Sequence, residues 1–530
     1  MIKTQTICSE CGRPIPAAYI RKDGAVYLEK TCPEHGTSRA LASEDAEAFE
    51  RWVAFPSVTV PPRVFITKGA RGAFGEVGIV NTECPIHCGV CENHLMTACC
   101  VLLNVTDRCN QHCPYCFAAA GSPGPGAAAD PSLADIERWL CRLVELGEER
   151  KFNIQLSGGE PTVREDLADI IRMCKEKDFE YIQLNTNGRL LAADLVYAKT
   201  LKAAGLSTVF LQFDGVDDDV YTALRGEPLL ETKKAAIKNC GAAGLPVTLV
   251  PTVLKNTNLA QTGAIIDFML DNISVVKGVH FQPASFFGRR PDERNEDGDY
   301  DERVTMFSVM DEIEKQTGGR VKKADLAPIS TGHPLCCFCA AYMKEKGGFL
   351  RPLSSGGSCC DSEGDEPGGG SCCGPGADEP GGGSCCGPGA DPLEIIRRDR
   401  DFVLNKWEIN QPEETSSGDN AQNGTGNCNT NGCGDSSGGC CDSSGDGDGC
   451  DGGGGGGDSS GDGLPEVDGA MSFDEALAMF RNNMFTISGM AFMDGANLDA
   501  ERLRRCRVQV FTPDERLIPF CAYYAYHCGK

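Results

Sequence analysis

Between Val101 and Ser285 short apolar runs alternate with amphipathic stretches, and this alternation restricts the fold more than any other feature of the chain. VLLNVTD (101–107), FNIQLS (152–157), YIQLNT (181–186), TVFLQFD (208–214), VTLVPTV (247–253) and VHFQPAS (279–285) read as buried strands. Continuous apolar runs of this length suit a sheet covered on both faces. The intervening stretches 132–147, 164–177, 192–204, 231–243 and 258–271 read as helices, with the spacing that right-handed crossovers need. The expected class is α/β, a parallel sheet curved or partly closed, with ligands at the C-terminal ends of its strands. A further helix is expected at about 301–316.

The first of these strands leads directly into RCNQHCPYCF, which spaces Cys109, Cys113 and Cys116 as C-x3-C-x2-C. Three thiolates so spaced can wrap a corner of a [4Fe–4S] cube and leave the fourth iron open for a ligand. A loop at the C-terminal end of a sheet strand is also where a catalytic mouth belongs. A second C-x3-C-x2-C, formed by Cys84, Cys88 and Cys91, lacks a clear preceding strand and has a fourth thiol nearby in Cys99. Four thiolates close all four irons, so this set reads as an auxiliary electron-transfer or structural cluster, with His87 and His94 as alternative ligands.

Nearer the start, Cys8 and Cys11 pair with Cys32 and His35 as two short knuckles. Three sulfurs and one imidazole suit one tetrahedral ion with a structural role, zinc or rubredoxin-like iron. Cys141, Cys174 and Cys240 fall in the expected helices, where buried, inert thiols are the default.

C-x3-C-x2-C with an aromatic residue, Tyr115, before its last cysteine is the signature of the radical S-adenosylmethionine (SAM) superfamily, which this chain resembles. The resemblance implies a partial (β/α)6 barrel in which SAM chelates the open iron. Its reductive cleavage gives a 5′-deoxyadenosyl radical that abstracts hydrogen from substrate, Cys109, Cys113 and Cys116 being the catalytic ligands. Under that reading Gly158 and Gly159, in LSGGEP at the second strand's end, permit close backbone approach. The Glu160 carboxylate accepts from the methionyl ammonium. Asn185 and Asn187, in QLNTNG, serve the ribose hydroxyls, while Gln212 and Asp214, in LQFDG, face the same mouth. The longer tract CPxxCGxCxxHxxxxC, a strand and CNxxCPxCF, with HPLC (333–336) and the C-terminal LDAERLRRC…TPDERLIPFCAYY (498–524), is similar to the group that includes tetraether lipid synthase and a methanopterin-biosynthesis methylase. That likeness implies one or two auxiliary [4Fe–4S] clusters, the later one on Cys336, Cys506 and Cys521, with Cys339 or Cys528 as the fourth ligand. It leaves methylation or carbon–carbon or carbon–sulfur bond formation as outcomes, on a small-molecule or lipid substrate, with ferredoxin or flavodoxin as electron donor.

The 31 cysteines also include an unusual tail. SCCDSEGDEPGGG, SCCGPGADEPGGG and SCCGPGADP begin at Ser358, Ser371 and Ser384, a 13-residue repeat, and a Gly/Ser/Asp tract with more cysteines follows at about 415–463. Few apolar side chains offset chain entropy there, so disorder is expected unless a metal organises the tracts. The repeats resemble the branch known as radical SAM (seleno)protein TrsS, which implies a SAM-dependent methyltransferase as partner. An alternative function follows from the same thiols, namely handling of a soft metal, sulfur or selenium by the tail.

The expected organisation is therefore a metal-knuckle module at 1–60, an auxiliary-cluster segment at 75–100, the core at 101–320 and a cluster-binding extension at 321–353. The repeat tract at 354–392, a short linker helix at 393–414, the second tract at 415–465 and a C-terminal cluster-binding segment at 466–530 complete it. Residues 354–465 hold 21 acidic and 4 basic side chains, most of the formal charge of −26. Nothing resembles the basic surface of a nucleic-acid binder. No stretch approaches the roughly 18 apolar residues of a membrane span, and the N-terminus lacks the apolar core of a secretory signal. A cytoplasmic, thiol-reducing setting is expected.

Overall fold

The computed structural model describes residues 2–62, 93–121, 129–147, 152–291, 294–329, 331–353 and 482–527. The N-terminal module opens with β1 (Ile2–Ile7), β2 (Pro14–Lys22), β3 (Ala25–Cys32) and β4 (Gly36–Ser43), followed by α1 (Ala46–Val53). The four strands form an antiparallel meander in the order β1-β2-β3-β4. Asp45 starts α1 by accepting from the backbone N–H groups of Glu47 and Ala48, which satisfies two donors the helix itself leaves free.

The core continues through β5 (Cys100–Thr106), α2 (Leu133–Gly147), β6 (Asn153–Gly158), α3 (Leu167–Glu176), β7 (Ile182–Thr186), α4 (Arg189–Ala193) and α5 (Leu195–Ala203). Then come β8 (Thr208–Gln212), α6 (Asp218–Arg225), α7 (Leu230–Ala242), β9 (Val247–Val250), β10 (Thr252–Val253), α8 (Thr262–Asp271), β11 (Val276–Pro283) and α9 (Met306–Gln316). The remainder comprises β12 (Cys337–Lys344), β13 (Leu350–Pro352), β14 (Met484–Met490), α10 (Ala500–Arg504), β15 (Val508–Phe511), β16 (Leu517–Pro519) and α11 (Phe520–His527).

All six expected strands lie in one sheet of order β13-β12-β14-β11-β9-β8-β7-β6-β5-β15-β16, and the run from β14 to β15 is parallel throughout. Two of its parallel strands come from the C-terminal segment. β14 extends the sheet beyond β11 and β15 extends it beyond β5, so the last part of the chain builds both edges of the core. The run 247–253 is broken into β9 and β10 at Pro251, which has no N–H to give the ladder. The stretch read as one helix over 192–204 is divided, because Asp194 ends α4 and caps α5.

Side chains alternate cleanly across the sheet. Val101, Leu103, Ile154, Leu156, Ile182, Leu184, Val209, Leu211, Val247 and Leu249 are fully buried against Ile136, Leu140, Ile170, Leu201, Ile237 and Ile266 of the helices. The opposite, inner face carries Asn104, Gln155, Ser157, Gln183, Asn185, Gln212, His280 and Ser488. At β5 it is covered by α11, where the Tyr524 hydroxyl meets Asn104. Toward β8 and β11, Phe210, Gln212, His280 and Gln282 are only partly covered. The N-terminal meander packs on the loop after β14. Thr4 and Tyr19 donate to the Asp499 carboxylate, and Lys30 donates to the Gly495 carbonyl at 2.6 Å. No helix among the described residues is long and apolar enough to cross a membrane.

Candidate active site and metal centres

β5 delivers the chain at Thr106 into the loop that bears Cys109, Cys113 and Cys116, all three partly buried. The end of β6 lies against that loop so closely that side chains are excluded. A Cβ on Gly158, which sits at φ +124°, would lie 2.1 Å from the Thr106 carbonyl oxygen, and one on Gly159 would lie 2.2 Å from that of Arg108. Glycine is required at both positions. The Gly159 and Glu160 N–H groups donate to those two carbonyls at 2.7 and 2.9 Å. The two sequence motifs are thus one structural unit.

Glu160 is buried and accepts from the Thr162 N–H and hydroxyl and the Thr186 hydroxyl through Oε1, and from the Asn187 N–H through Oε2. The Asn187 amide donates to Asn110 Oδ1 at 2.7 Å, so it ties the cysteine loop to the end of β7 rather than standing open at the mouth. Asn185 is half-covered, with only long contacts to Ser157 and Gln183. The Gln212 amide donates to Asp214, and its oxygen accepts from Lys233 Nζ at 2.8 Å.

Asp214 departs from expectation. It is fully buried, and its two oxygens are taken by Arg225, the Thr252 N–H and Gln212. A carboxylate with its lone pairs filled from within the protein cannot face a cofactor. Its role is to hold Arg225, which in turn donates to the Tyr115 carbonyl at 3.0 Å. Tyr115 packs against the apolar cluster of Leu224, Leu254 and Phe286.

Sequence reasoning missed Arg225, Lys233 and Arg289. Arg289, just after β11, donates to the Cys113 carbonyl at 2.7 Å and the Ala120 carbonyl at 3.0 Å, and its backbone pairs with Cys116. Gly288 beside it sits at φ +53°, where a Cβ would lie 2.5 Å from the Cys116 carbonyl oxygen. The available signal was FFGRR directly after a strand. Lys233 on α7 is fully buried and also donates to the Asn187 carbonyl at 2.6 Å; burial lowers its pKa to about 7.

Burial raises the Cys109 thiol to about 11 and raises Cys113 as well. Thiolates at these positions therefore require a metal to displace the proton. Cys8, Cys11, Cys32 and His35 bring their ligand atoms within 4.8 Å of one another, as ligands of one shared ion do. In the N-terminal site the Cys11–Cys32 sulfurs are 3.9 Å apart, and His35 Nδ1 lies 3.6 Å from Cys8 and 3.4 Å from Cys32. A tetrahedron with Zn–S of about 2.3 Å and Zn–N of about 2.0–2.1 Å has edges of roughly 3.8 and 3.5 Å. The donor set fits a single tetrahedral ion.

Around the C-terminal segment, Cys506 is partly buried near Cys521 and Cys336, and Arg502 donates to the Cys336 sulfur at 3.5 Å. The Cys521 sulfur accepts from the Met493 N–H. Cys339 lies on β12 opposite Ser488, and Cys528 falls outside the described residues. Cys99 meets the Arg507 carbonyl at 3.5 Å, while Cys84, Cys88, Cys91 and His87 lie outside the described residues. So do the repeat tract, the linker helix at 393–414 and the Gly/Ser/Asp tract. His94 is buried with neither ring nitrogen hydrogen-bonded. Cys174 and Cys240 are buried as expected, but Cys141 is exposed on the outer side of α2.

The family model for the radical SAM superfamily matches residues 103–269, the span that holds the cysteine loop, the glycine pair and the Asp214–Arg225 brace. Over 530 aligned residues the chain is 31% identical to 7,8-dihydro-6-hydroxymethylpterin dimethyltransferase of Methanocaldococcus jannaschii, covering 99% of this chain and 94% of that one. The chain belongs to the radical SAM superfamily. It is a SAM-binding iron–sulfur enzyme with that superfamily's α/β fold. A second model, the HMPTM N-terminal zinc ribbon domain, matches residues 1–44 and supports zinc for the tetrahedral site. GTP 3′,8-cyclase of Paenarthrobacter nicotinovorans is 33% identical over 173 residues, 32% of this chain and 47% of that one. Among solved structures, Streptococcus suis SuiB bound to S-adenosylmethionine is 18% identical with a TM-score of 0.33, covering 42% of this chain and 48% of its own.

Proposed function

We propose that this radical SAM enzyme methylates a pterin-like heterocycle, with Cys109, Cys113 and Cys116 holding the catalytic [4Fe–4S] cluster. The observation that carries the reading is the full-length likeness to a pterin dimethyltransferase, joined to a cysteine loop locked against Gly158 and Gly159. When bound, the cluster and SAM supply one-electron cleavage of the sulfonium and a 5′-deoxyadenosyl radical able to take hydrogen from carbon. The protein's part is positional. Arg225 and Arg289 fix the loop through the carbonyls of Tyr115 and Cys113. Oε2 of Glu160 carries a single internal donor and has capacity for an ammonium. Asn185, the least committed amide at the mouth, serves the ribose.

Cys84, Cys88, Cys91 and Cys99 are proposed as one auxiliary cluster site, and Cys336, Cys506 and Cys521 as another. A ferredoxin- or flavodoxin-type donor supplies the electron. The test is anaerobic reconstitution with iron and sulfide, then reductant, SAM and 6-hydroxymethyl-7,8-dihydropterin, with 5′-deoxyadenosine and the pterin's mass followed together. Methylated pterin from wild type and none from the Cys109→Ala, Cys113→Ala, Cys116→Ala variant is the expected result. Abundant 5′-deoxyadenosine with no change in the pterin would retire the substrate assignment and leave the radical chemistry standing.

A further inference from the structure

The inner face of the sheet, below the cysteine loop, is rich in amides and hydroxyls, with the Phe210 ring among them. Ser157, Asn185, Gln212, Gln282 and Ser488 alternate along their strands with fully buried aliphatic residues on the helix side. Two close charge pairs stand at the mouth, Asp214 with Arg225 and Glu227 with Arg189. A long hydrocarbon would strip water from this face and return nothing to its amides. The face suits a flat, neutral molecule with many hydrogen-bonding edges.

On that face β11 contributes the imidazole of His280, opposite Ser488 of β14. It sits on β11 between Val279 and Phe281, which are fully buried on the helix side, and is itself partly open. Its Nδ1 lies 2.9 Å from the Ser488 hydroxyl on β14, which fixes the ring plane. Phe210 stands beside it, ring centroids 5.8 Å apart. Ser488 engages Nδ1, which leaves Nε2 as the ring nitrogen for a ligand on the inner face. Burial depresses the imidazole pKa to about 4, so the ring is neutral near pH 7. A neutral ring offers either a lone pair or an N–H at Nε2, according to which tautomer Ser488 selects.

We propose that His280, oriented by Ser488 and flanked by Phe210, is a specificity residue that binds a planar, neutral nitrogen heterocycle through Nε2 on the inner face of the sheet. The proposal rests on the pterin reading and adds to it the place and the contact by which such a ring is read. Ser488 acts only through His280 and is a positioning residue. Because Ser488 lies on a strand that follows the long Cys/Gly-rich insertion, the C-terminal segment contributes directly to this subsite.

The test is anaerobic equilibrium dialysis of 6-hydroxymethyl-7,8-dihydropterin against the reconstituted, SAM-loaded enzyme. Wild type is compared with His280→Phe, His280→Gln and Ser488→Ala. Loss of one hydrogen bond, about 1.4 kcal/mol, predicts an approximately tenfold rise in Kd for His280→Phe. His280→Gln, whose amide nitrogen can reach the Nε2 position, recovers most of the affinity, and Ser488→Ala falls between. SAM affinity and unstimulated 5′-deoxyadenosine release stay at the wild-type level in all three. Equal pterin affinity in wild type and His280→Phe overturns the subsite, as does a parallel fall in SAM affinity, which marks general damage. Should His280→Phe fail to fold, His280→Gln and Ser488→Ala decide by the same comparison. Pterin that binds in this pattern but is never methylated removes the proposed reaction and leaves the subsite standing. A wild type that binds no pterin overturns both.

Discussion

Asp214 grips Arg225 through two parallel hydrogen bonds, Oδ2 to Nε at 2.7 Å and Oδ1 to Nη2 at 2.8 Å. Neither side chain is available to solvent, and the arginine's remaining donors reach Tyr115 and Thr252. The end of β8 is thereby fastened to the cysteine loop after β5. Asp214→Ala leaves a buried guanidinium unpaired, and a loss of about 3–5 kcal/mol in chemical denaturation is expected. The Asp214→Leu, Arg225→Met double variant should recover much of that stability but not SAM cleavage, because the Tyr115 carbonyl still lacks its donor. Full activity in the double variant would mean that the pair serves stability alone.

Gly159→Ala tests the contact between the glycine pair and the loop. Its Cβ would meet the Arg108 carbonyl oxygen at 2.2 Å, and backbone cannot swing aside as a long side chain can. Displacement of the loop by about 1 Å should cut 5′-deoxyadenosine formation on the order of 100-fold. Gly147→Ala is the control. Its Cβ makes only ordinary contact with Phe152, at 3.5 Å, and activity should be unchanged.

Cys32→Ser should remove one bound ion per chain by elemental analysis, with the loop cluster's iron retained. Because Ser9 and Lys30, adjoining this site, both donate to the Gly495 carbonyl, loss of the ion should also loosen the loop after β14. The melting midpoint is expected to drop by roughly 2–4 °C for each kcal/mol lost. Retention of the ion by Cys32→Ser would show that the four-ligand set is wrong.

Thiol labelling separates the three helix cysteines. Burial holds Cys174 and Cys240 at about 12, so at pH 8 only about one in ten thousand of either would be thiolate, the form that reacts. Raising the pH toward 12 increases that fraction about tenfold per unit. Cys141 is exposed and should be alkylated first by iodoacetamide under native anaerobic conditions. Comparable labelling of Cys174 and Cys141 at pH 8 would contradict the burial of α3.

The sequence by itself determined what depends on short spacing. Cys109, Cys113 and Cys116 belong to one loop, and the strand before them is an uninterrupted apolar run, so both were legible from local order. The same holds for Cys8, Cys11, Cys32 and His35, because two knuckles at the ends of a meander can meet in few ways. Tertiary structure alone decided what depends on contacts between distant segments. Asp214 looked like a free carboxylate at a strand end until Arg225 was seen to fill it. Arg289 became visible as a clamp only when β11 was placed beside the loop. β14 and β15 are short runs lying beyond a long insertion, and only hydrogen bonding to the exposed edges of β11 and β5 reveals them as sheet strands. Local propensity constrains an element's own backbone; which edge it pairs with, and which buried charge it neutralises, is set by the whole packed chain.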